Sequence, residues 1–275
     1  MRFGLDVAQQ RISFDEVVRR TRLAEELGFD GAWGFDHFTP MYGEGPGECF
    51  EGMTTLAALA GLTSTIRLGL LVTGVTYRHP SVFAAQVLTV DHASHGRFEL
   101  ALGAAWAQDE HDRLGIRFPS TSERFDLLDD TLEILTRLFT GDVVSYAGHQ
   151  VSLDHAQMRP LPVQRPRPPL WIGGSGPKRT LPLVARFADV WHSGGGPEHA
   201  ERSRRLDQLA AEAGRDPASI KRAGSLSLSQ PMPQIRREIE QRLSSGIDHY
   251  LVCGWPGEGD EQIREFTEAV LPDYR

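Results

Sequence analysis

The stretch Ile66-Arg67-Leu68-Gly69-Leu70-Leu71-Val72-Thr73-Gly74-Val75-Thr76-Tyr77-Arg78-His79-Pro80 reads as a buried strand followed by unusual chemistry. Ile66 to Val72 is a short apolar run of strand length. Gly74, at its carboxyl end, lets the backbone bulge or come close to a flat ligand. Hydroxyls, an aromatic ring and two bases crowd the positions up to His79, and Pro80 suits the first turn of a helix. Ligands of parallel α/β proteins bind beyond the carboxyl ends of the strands. Thr73, Gly74 and Val75 are therefore candidate site residues, and the chain on either side decides whether the sheet is parallel.

Upstream, an apolar strand at 2–7 is followed by Ser13-Phe14-Asp15-Glu16, a capping box. The helix it opens carries Phe14, Val17, Val18, Ala24 and Leu27 at spacings of three and four and stops at Gly28. A second strand at 30–35 ends in Asp36-His37-Phe38. After a Gly/Pro-rich loop from Met41 to Gly47, a helix near 51–63 leads into the strand at 66–72. Downstream come a helix over 81–94, a strand from Arg97 to Gly103, and a second capping box from Ser120 to Glu123. That box opens a long helix with Phe125, Leu128, Leu132, Leu135 and Phe139 on one stripe and Gly141 at its end. Residues 143–153 alternate as a hairpin does around Ala147-Gly148, a small insertion near 143–158, and 159–169 is a basic, Pro-rich connection. Four more strand and helix pairs follow, at 170–173 and 178–187, 188–192 and 197–213, 220–228 and 232–245, and 248–253 and 259–270. Eight alternations in 275 residues predict one (β/α)8 TIM barrel spanning 1–275. An open doubly wound sheet is the alternative reading of the same pattern.

Composition narrows the function classes. Lys and Arg number 29 against 37 Asp and Glu, a net charge of −8, which argues against nucleic acid or an anionic membrane as partner. Two cysteines, Cys49 and Cys253, are too few for a disulfide framework or a zinc cluster. The amino terminus lacks the apolar stretch of a signal peptide, and no run approaches the ~18 apolar residues of a membrane span. A cytoplasmic enzyme acting on a small molecule is expected, with a homodimer compatible with the reading.

A barrel would gather the polar strand ends on one face. Asp36 and His37 could form acid–base machinery, since histidine titrates near neutral pH and a carboxylate can orient it. Gly173-Gly174-Ser175-Gly176 joins a strand to a helix amino terminus, where free N–H groups and the helix dipole bind phosphate, with Lys178 and Arg179 adding positive charge. His192 and Ser193 end the sixth strand, and Gly103 with Trp106 follows the fourth, Trp106 placed to wall a pocket. Trp33 and Trp171 read as core packing, and His79, His92, His95 and His111 as surface or structural. Without HxxxH or CxxC spacing, no metal is expected.

The combined wording resembles the bacterial luciferase-like superfamily. It includes Ile66 to Pro80, Leu88-Thr89-Val90-Asp91, Gly96 to Gly103, Trp106 to His111, Pro168 to Gly176 and Ala188-Asp189-Val190-Trp191. The likeness covers about 1–195 well and the last third loosely. It implies a (β/α)8 enzyme using FMN or the deazaflavin coenzyme F420, and the wording is similar to the deazaflavin-dependent oxidoreductases. By that resemblance the ring lies against a bulge at Thr73-Gly74-Val75, in which a non-prolyl cis peptide is common. His37 then exchanges the substrate proton, Asp36 orients it or binds the ring, and the turn at Gly173 to Gly176 takes the cofactor phosphate. Two departures stand out: Trp106 where some deazaflavin dehydrogenases carry a glutamate, and Gly194-Gly195-Gly196 where some carry a phosphate-binding lysine. The expected reaction is hydride transfer between F420 and a small organic substrate. The alternatives are a reduced-FMN monooxygenase and a non-catalytic flavin-binding paralogue.

Overall fold

The computed structural model describes every residue except Pro197 and Glu258. In chain order its strands are β1 (Arg2–Asp6), β2 (Gly31–Gly34), β3 (Arg67–Leu70), β4 (Thr73–Gly74), β5 (Phe98–Gly103), β6 (Val144–Ala147), β7 (Ser152–Ala156), β8 (Leu170–Gly173), β9 (Val190–His192), β10 (Lys221–Ser227) and β11 (Tyr250–Gly254). All but β6 and β7 form one parallel sheet in the order β3-β2-β1-β11-β10-β9-β8-β5, with β4 continuing β3. Leu68 pairs with Phe98 between β3 and β5, which closes the sheet into an eight-stranded barrel. β6 and β7 form an antiparallel hairpin, with Tyr146 opposite Leu153. The buried Asp130 carboxylate accepts the N–H groups of His149 and Val151 at 3.0 Å and so clamps the turn.

The helices are α1 (Phe14–Glu26), α2 (Gly52–Leu62), α3 (Pro80–Ala93), α4 (Gln108–Leu114), α5 (Thr121–Leu138), α6 (Thr180–Phe187), α7 (His199–Glu212), α8 (Met232–Ser244) and α9 (Glu261–Ala269). Ser13 caps α1 by accepting the Glu16 N–H, and the Ser120–Glu123 box at α5 is closed in both directions. Pro80 takes the first turn of α3, where its missing N–H costs nothing. The helix expected over 197–213 starts on Pro197, outside the described residues, and is observed from His199. Sequence periodicity gave no sign of α4, a short segment whose stripe is too brief to register. It ends at Gly115, which adopts a left-handed φ of 67°. No helix among the described residues is long and apolar enough to cross a membrane.

Packing inside the barrel fixes the floor of its mouth. Trp33, Trp171 and Tyr250 fill the interior, with ring centroids 4.7, 5.2 and 5.9 Å apart. Trp33 Nε1 donates to the Tyr250 hydroxyl at 3.2 Å, and Trp171 Nε1 donates to Glu99 at 2.7 Å. Glu99 also pairs with Arg67. Trp33 and Trp171 are thus core residues, as their place in apolar strands suggests. Neighbouring strands must make room for them. A Cβ added at Gly4 would lie 2.4 Å from Trp33 Nε1, and one at Gly69 would lie 2.5 Å from Trp33 Cζ3.

An added methyl at Gly4 would press on both Trp33 and the Tyr250 hydroxyl, so Gly4→Ala is expected to destabilise the protein by about 1–3 kcal/mol through overpacking. The urea midpoint should fall without a change in slope. An unchanged midpoint would show that the interior can yield.

Candidate active site

A cavity of about 770 Å³ opens at the carboxyl ends of the strands. Its floor is apolar, formed by Trp33, Leu71, Val72 and Val252, and its rim carries Asp36, His37, Tyr77, Trp106 and His192. This is the face on which parallel barrels build their sites.

His37 follows β2 and faces the cavity. Its Nδ1 lies 3.1 Å from Oε2 of Glu110, at the start of α4. A carboxylate only accepts, so Nδ1 carries a proton, and in the neutral ring Nε2 is the nitrogen with the lone pair. Glu110 is almost wholly buried and serves several donors. Its Oε1 takes the N–H groups of Phe38 at 2.8 Å and Thr39 at 2.9 Å, and the Thr39 hydroxyl at 3.0 Å. Its Oε2 also accepts from the Tyr77 hydroxyl. Burial would raise this carboxyl, but the bonds from Tyr77, His37, Phe38 and Thr39 outweigh it and hold Glu110 below the usual carboxylate range. Tyr77 in turn stacks on His111, with centroids 4.6 Å apart. His111 is buried and structural. Its Nδ1 meets the Ala107 carbonyl at 2.7 Å, and its Nε2 meets the Thr76 hydroxyl at 2.7 Å.

Asp36 does something other than orient His37. It accepts two bonds from Arg78, at 2.6 and 2.8 Å, and the Gly74 N–H at 3.2 Å. Arg78 also reaches Glu51. Burial would lower the guanidinium, and the two carboxylates more than compensate, so Arg78 stays charged. The orienting carboxylate is therefore Glu110, and Asp36 ties the segment after β2 to the one after β4.

The back wall also lies earlier than Thr73-Gly74-Val75. The non-prolyl cis peptide joins Leu71 and Val72, and these two residues border the cavity. Thr73 and Val75 are buried, and neither lines it. Gly74 does, as do Gly103 and Gly173. The last two have a packing reason for lacking a side chain: their added Cβ atoms would lie 2.7 and 2.8 Å from the Val72 methyl groups. Trp106, 70% exposed, also borders the cavity, with its ring centroid 5.4 Å from that of His37.

The turn after β8 is only partly free to bind an anion. Gly174, at φ 113°, lines the cavity, but its N–H donates to the His192 carbonyl at 3.0 Å. The Gly174 carbonyl accepts Trp191 Nε1 at 2.7 Å, and Ser175 accepts from Arg202 at 2.9 Å. Gly176 is exposed at the head of the turn, and Arg179 points away to Asp126 on α5. What remains is the start of α6, which has no side-chain cap and presents Thr180 to the cavity. His192 borders the cavity within reach of Ser225 at 3.2 Å, and burial lowers it to about 4, so it is neutral at pH 7. Ser193 is buried against His199 Nδ1 at 2.7 Å and does not face the cavity. Among the described residues no cluster of His, Cys, Asp and Glu could hold a metal ion.

Sequence reasoning placed Asp36, His37, Gly74, Trp106 and His192 at one mouth but missed the work of Glu110, Tyr77 and Arg78. A signal for Glu110 was present: an acid followed by a histidine, one turn beyond Trp106.

A family model described as luciferase-like monooxygenase matches residues 1–239. An F420-dependent glucose-6-phosphate dehydrogenase of Microbacterium testaceum is 33% identical over 201 residues, 72% of this chain and 58% of that relative. Among solved structures, an F420-dependent secondary alcohol dehydrogenase in complex with an F420-acetone adduct superposes with a TM-score of 0.86 at 20% identity, covering 100% of this chain and 99% of the other. A monooxygenase from Streptomyces bottropensis gives a TM-score of 0.81 at 20% identity, with both chains covered completely.

Glu110→Gln replaces an acceptor of several bonds by a group that must also donate, and should cost about 1–3 kcal/mol. The folded Glu110 carboxyl lies below its unfolded value, so its stabilisation is present above the ordinary carboxylate range and is lost as pH falls through the folded value. The wild type should therefore lose stability on acidification by a component that Glu110→Gln lacks. Parallel acid limbs in denaturation curves from pH 7 to pH 3 would contradict this.

Proposed function

This chain belongs to the luciferase-like monooxygenase family, and from that premise we propose that it transfers a hydride between coenzyme F420 and a small organic substrate, with His37 exchanging the substrate proton. The observation that carries the reading is the Nδ1–Glu110 bond, which leaves Nε2 of a cavity-facing imidazole as a base. The relatives with F420-dependent dehydrogenase activity support the choice of cofactor.

The residues present suit such a group. Leu71 and Val72 offer an apolar surface for a flat ring, Trp106 a second wall, and the uncapped start of α6 with Gly174 a place for an anionic tail. Bound there, the deazaflavin would supply the hydride donor or acceptor. His37 Nε2 would take the proton of a substrate hydroxyl during oxidation and return it to the carbonyl oxygen during reduction. Glu110 would hold the ring in one tautomer and one orientation, and stabilise the imidazolium while it lasts. Asp36 and Arg78 would act one step back, fixing the backbone from which His37 projects. Ser193 has no place in this scheme.

We also propose a homodimer formed through α2 and α3. Among their described residues α2 has no acidic or basic side chain, and α3 has Asp91, which is buried, and His92 in its last turn. Their outward positions include Ala57, Gly61, Leu62, Val82, Ala85 and Thr89, with Val82 55% exposed. A small, uncharged surface of two adjacent helices suits close packing about a two-fold axis. Cys49 and Cys253 are unpaired thiols, which fits a cytoplasmic location.

Titration of apo protein with F420, followed by tryptophan fluorescence, should show saturable binding, and FMN should bind more weakly. Tight FMN binding with no response to F420 would overturn the cofactor assignment. His37→Ala should keep F420 affinity and lose ~10²-fold or more in turnover; unchanged turnover would remove His37 from the chemistry. Light scattering should give a dimer for the wild type and a monomer for Ala85→Glu. A wild-type monomer, or a dimer indifferent to the charge, would contradict the interface.

A further inference from the structure

Asp6 stands at the end of β1 and takes no part in holding His37. Gly4 points into the barrel, since a Cβ there would meet Trp33 and Tyr250. Side chains two residues apart on a strand face the same way. Asp6 therefore points inward as well, one layer nearer the mouth, and it borders the cavity beside Trp33 and Val252. Its Oδ1 accepts the Ala8 N–H at 3.0 Å, and among the described residues no hydrogen bond or ion pair reaches Oδ2.

The other charges near the cavity have partners. Arg78 is bonded to Asp36, and Arg242 to Glu238 at 2.9 Å. Arg20, behind β1, is bonded to Glu16 and lies over the Trp255 ring at 4.1 Å. His37 is held by Glu110, and His192 is neutral at pH 7. Burial raises the Asp6 carboxyl to about 6, against the pull of the Ala8 N–H and Arg20, so the group is mostly ionised at pH 7. Asp6 Oδ2 opens to the cavity, and a ligand that displaces water from it must supply a donor or leave it unpaired.

Resting on the oxidoreductase reading above, we propose that Asp6 selects the substrate by taking a hydrogen-bond donor from it, a hydroxyl or an ammonium group, and by rejecting a carboxylate or phosphate at the same place. An acceptor-only group facing a bound anion leaves two like charges side by side once the ligand has displaced the water between them. A site built to receive a donor discriminates strongly against an analogue that lacks it.

Four compounds sharing a CH3–CH(OH) unit and differing in the group beside it test this: 1-amino-2-propanol, 1,2-propanediol, 2-butanol and lactate. Saturation-transfer NMR ranks their binding to the protein without turnover, and steady-state assays with F420 rank kcat/KM. For the wild type the amino alcohol and the diol should exceed lactate by ~10-fold or more. The isosteric Asp6→Asn should shrink that preference at least ~5-fold, and Asp6→Leu should make 2-butanol the best ligand. The amino alcohol leading the diol identifies the donor as ammonium, and the reverse identifies it as hydroxyl. The same order in all three proteins would overturn the proposal. So would a loss of F420 affinity in the variants with substrate preference unchanged, since Asp6 would then serve the cofactor. The predicted binding order without turnover of any compound would leave Asp6 in its role and sink the alcohol chemistry instead.

Discussion

The filling of the barrel interior is the constraint on which the site depends. Eight parallel strands enclose a space that must be packed by the side chains pointing into it. Here Trp33, Trp171 and Tyr250 take most of that space, and glycine on adjacent strands accommodates them. The aromatic plug sets the depth of the mouth. Above it the chain after β3 turns Leu71 and Val72 inward, and Gly103 and Gly173 give Val72 room. The apolar floor is thus a consequence of core packing, and the polar groups on the rim stand above it.

That arrangement explains why the two buried carboxylates near His37 have different duties. Asp36 lies against a guanidinium that is itself buried, and the bidentate contact uses both of its oxygens. It has no acceptor capacity directed at an imidazole. Glu110 faces two backbone N–H groups and two hydroxyls, all neutral donors. Among the described residues no Lys or Arg pairs with it, and its negative charge is available to His37. A carboxylate held by neutral donors favours a neighbouring imidazolium, whereas one already paired with arginine would favour it far less.

The architecture was readable in the sequence because it rests on repeated local signals. Alternating strand and helix segments, the boxes at Ser13 and Ser120, and Gly28 and Gly141 as stops each report on a few adjacent residues. The site was readable only as a set of positions. Asp36 next to His37 suggested a pair, but adjacent residues on an extended chain point to opposite sides, and the true partners come from residues 78 and 110. Glu110 showed as an acid beyond β5, but its partnership with His37 was not legible, because α4 is two turns long and its start has no side-chain cap to mark its orientation. The placement of the wall was ambiguous for a different reason. Leu71-Val72-Thr73-Gly74 offers several places to break a strand, and glycine is the obvious choice by local propensity. The break falls at Leu71-Val72 because the apolar side chains have the barrel interior to occupy, and that space exists only once β5 and β8 are in place.

Glu110 also couples pieces of chain that sequence alone keeps apart. Its carboxylate joins the loop after β2, through Phe38 and Thr39, to Tyr77 after β4, and it stands on α4 after β5. Three strand ends therefore share one acceptor group. Rotating His37 away from the cavity would break its Nδ1 contact while the other donors stayed in place, leaving an imidazole N–H without its acceptor in a half-buried setting. The ring is held by the cost of that loss, not by packing alone, since Trp106 on its open side is largely exposed. A base fixed in this way can accept and return a proton without reorienting. The same fixation confines adaptation to different substrates to the parts of the cavity that Glu110 does not touch, the floor at β1 and the rim at β10 and β11.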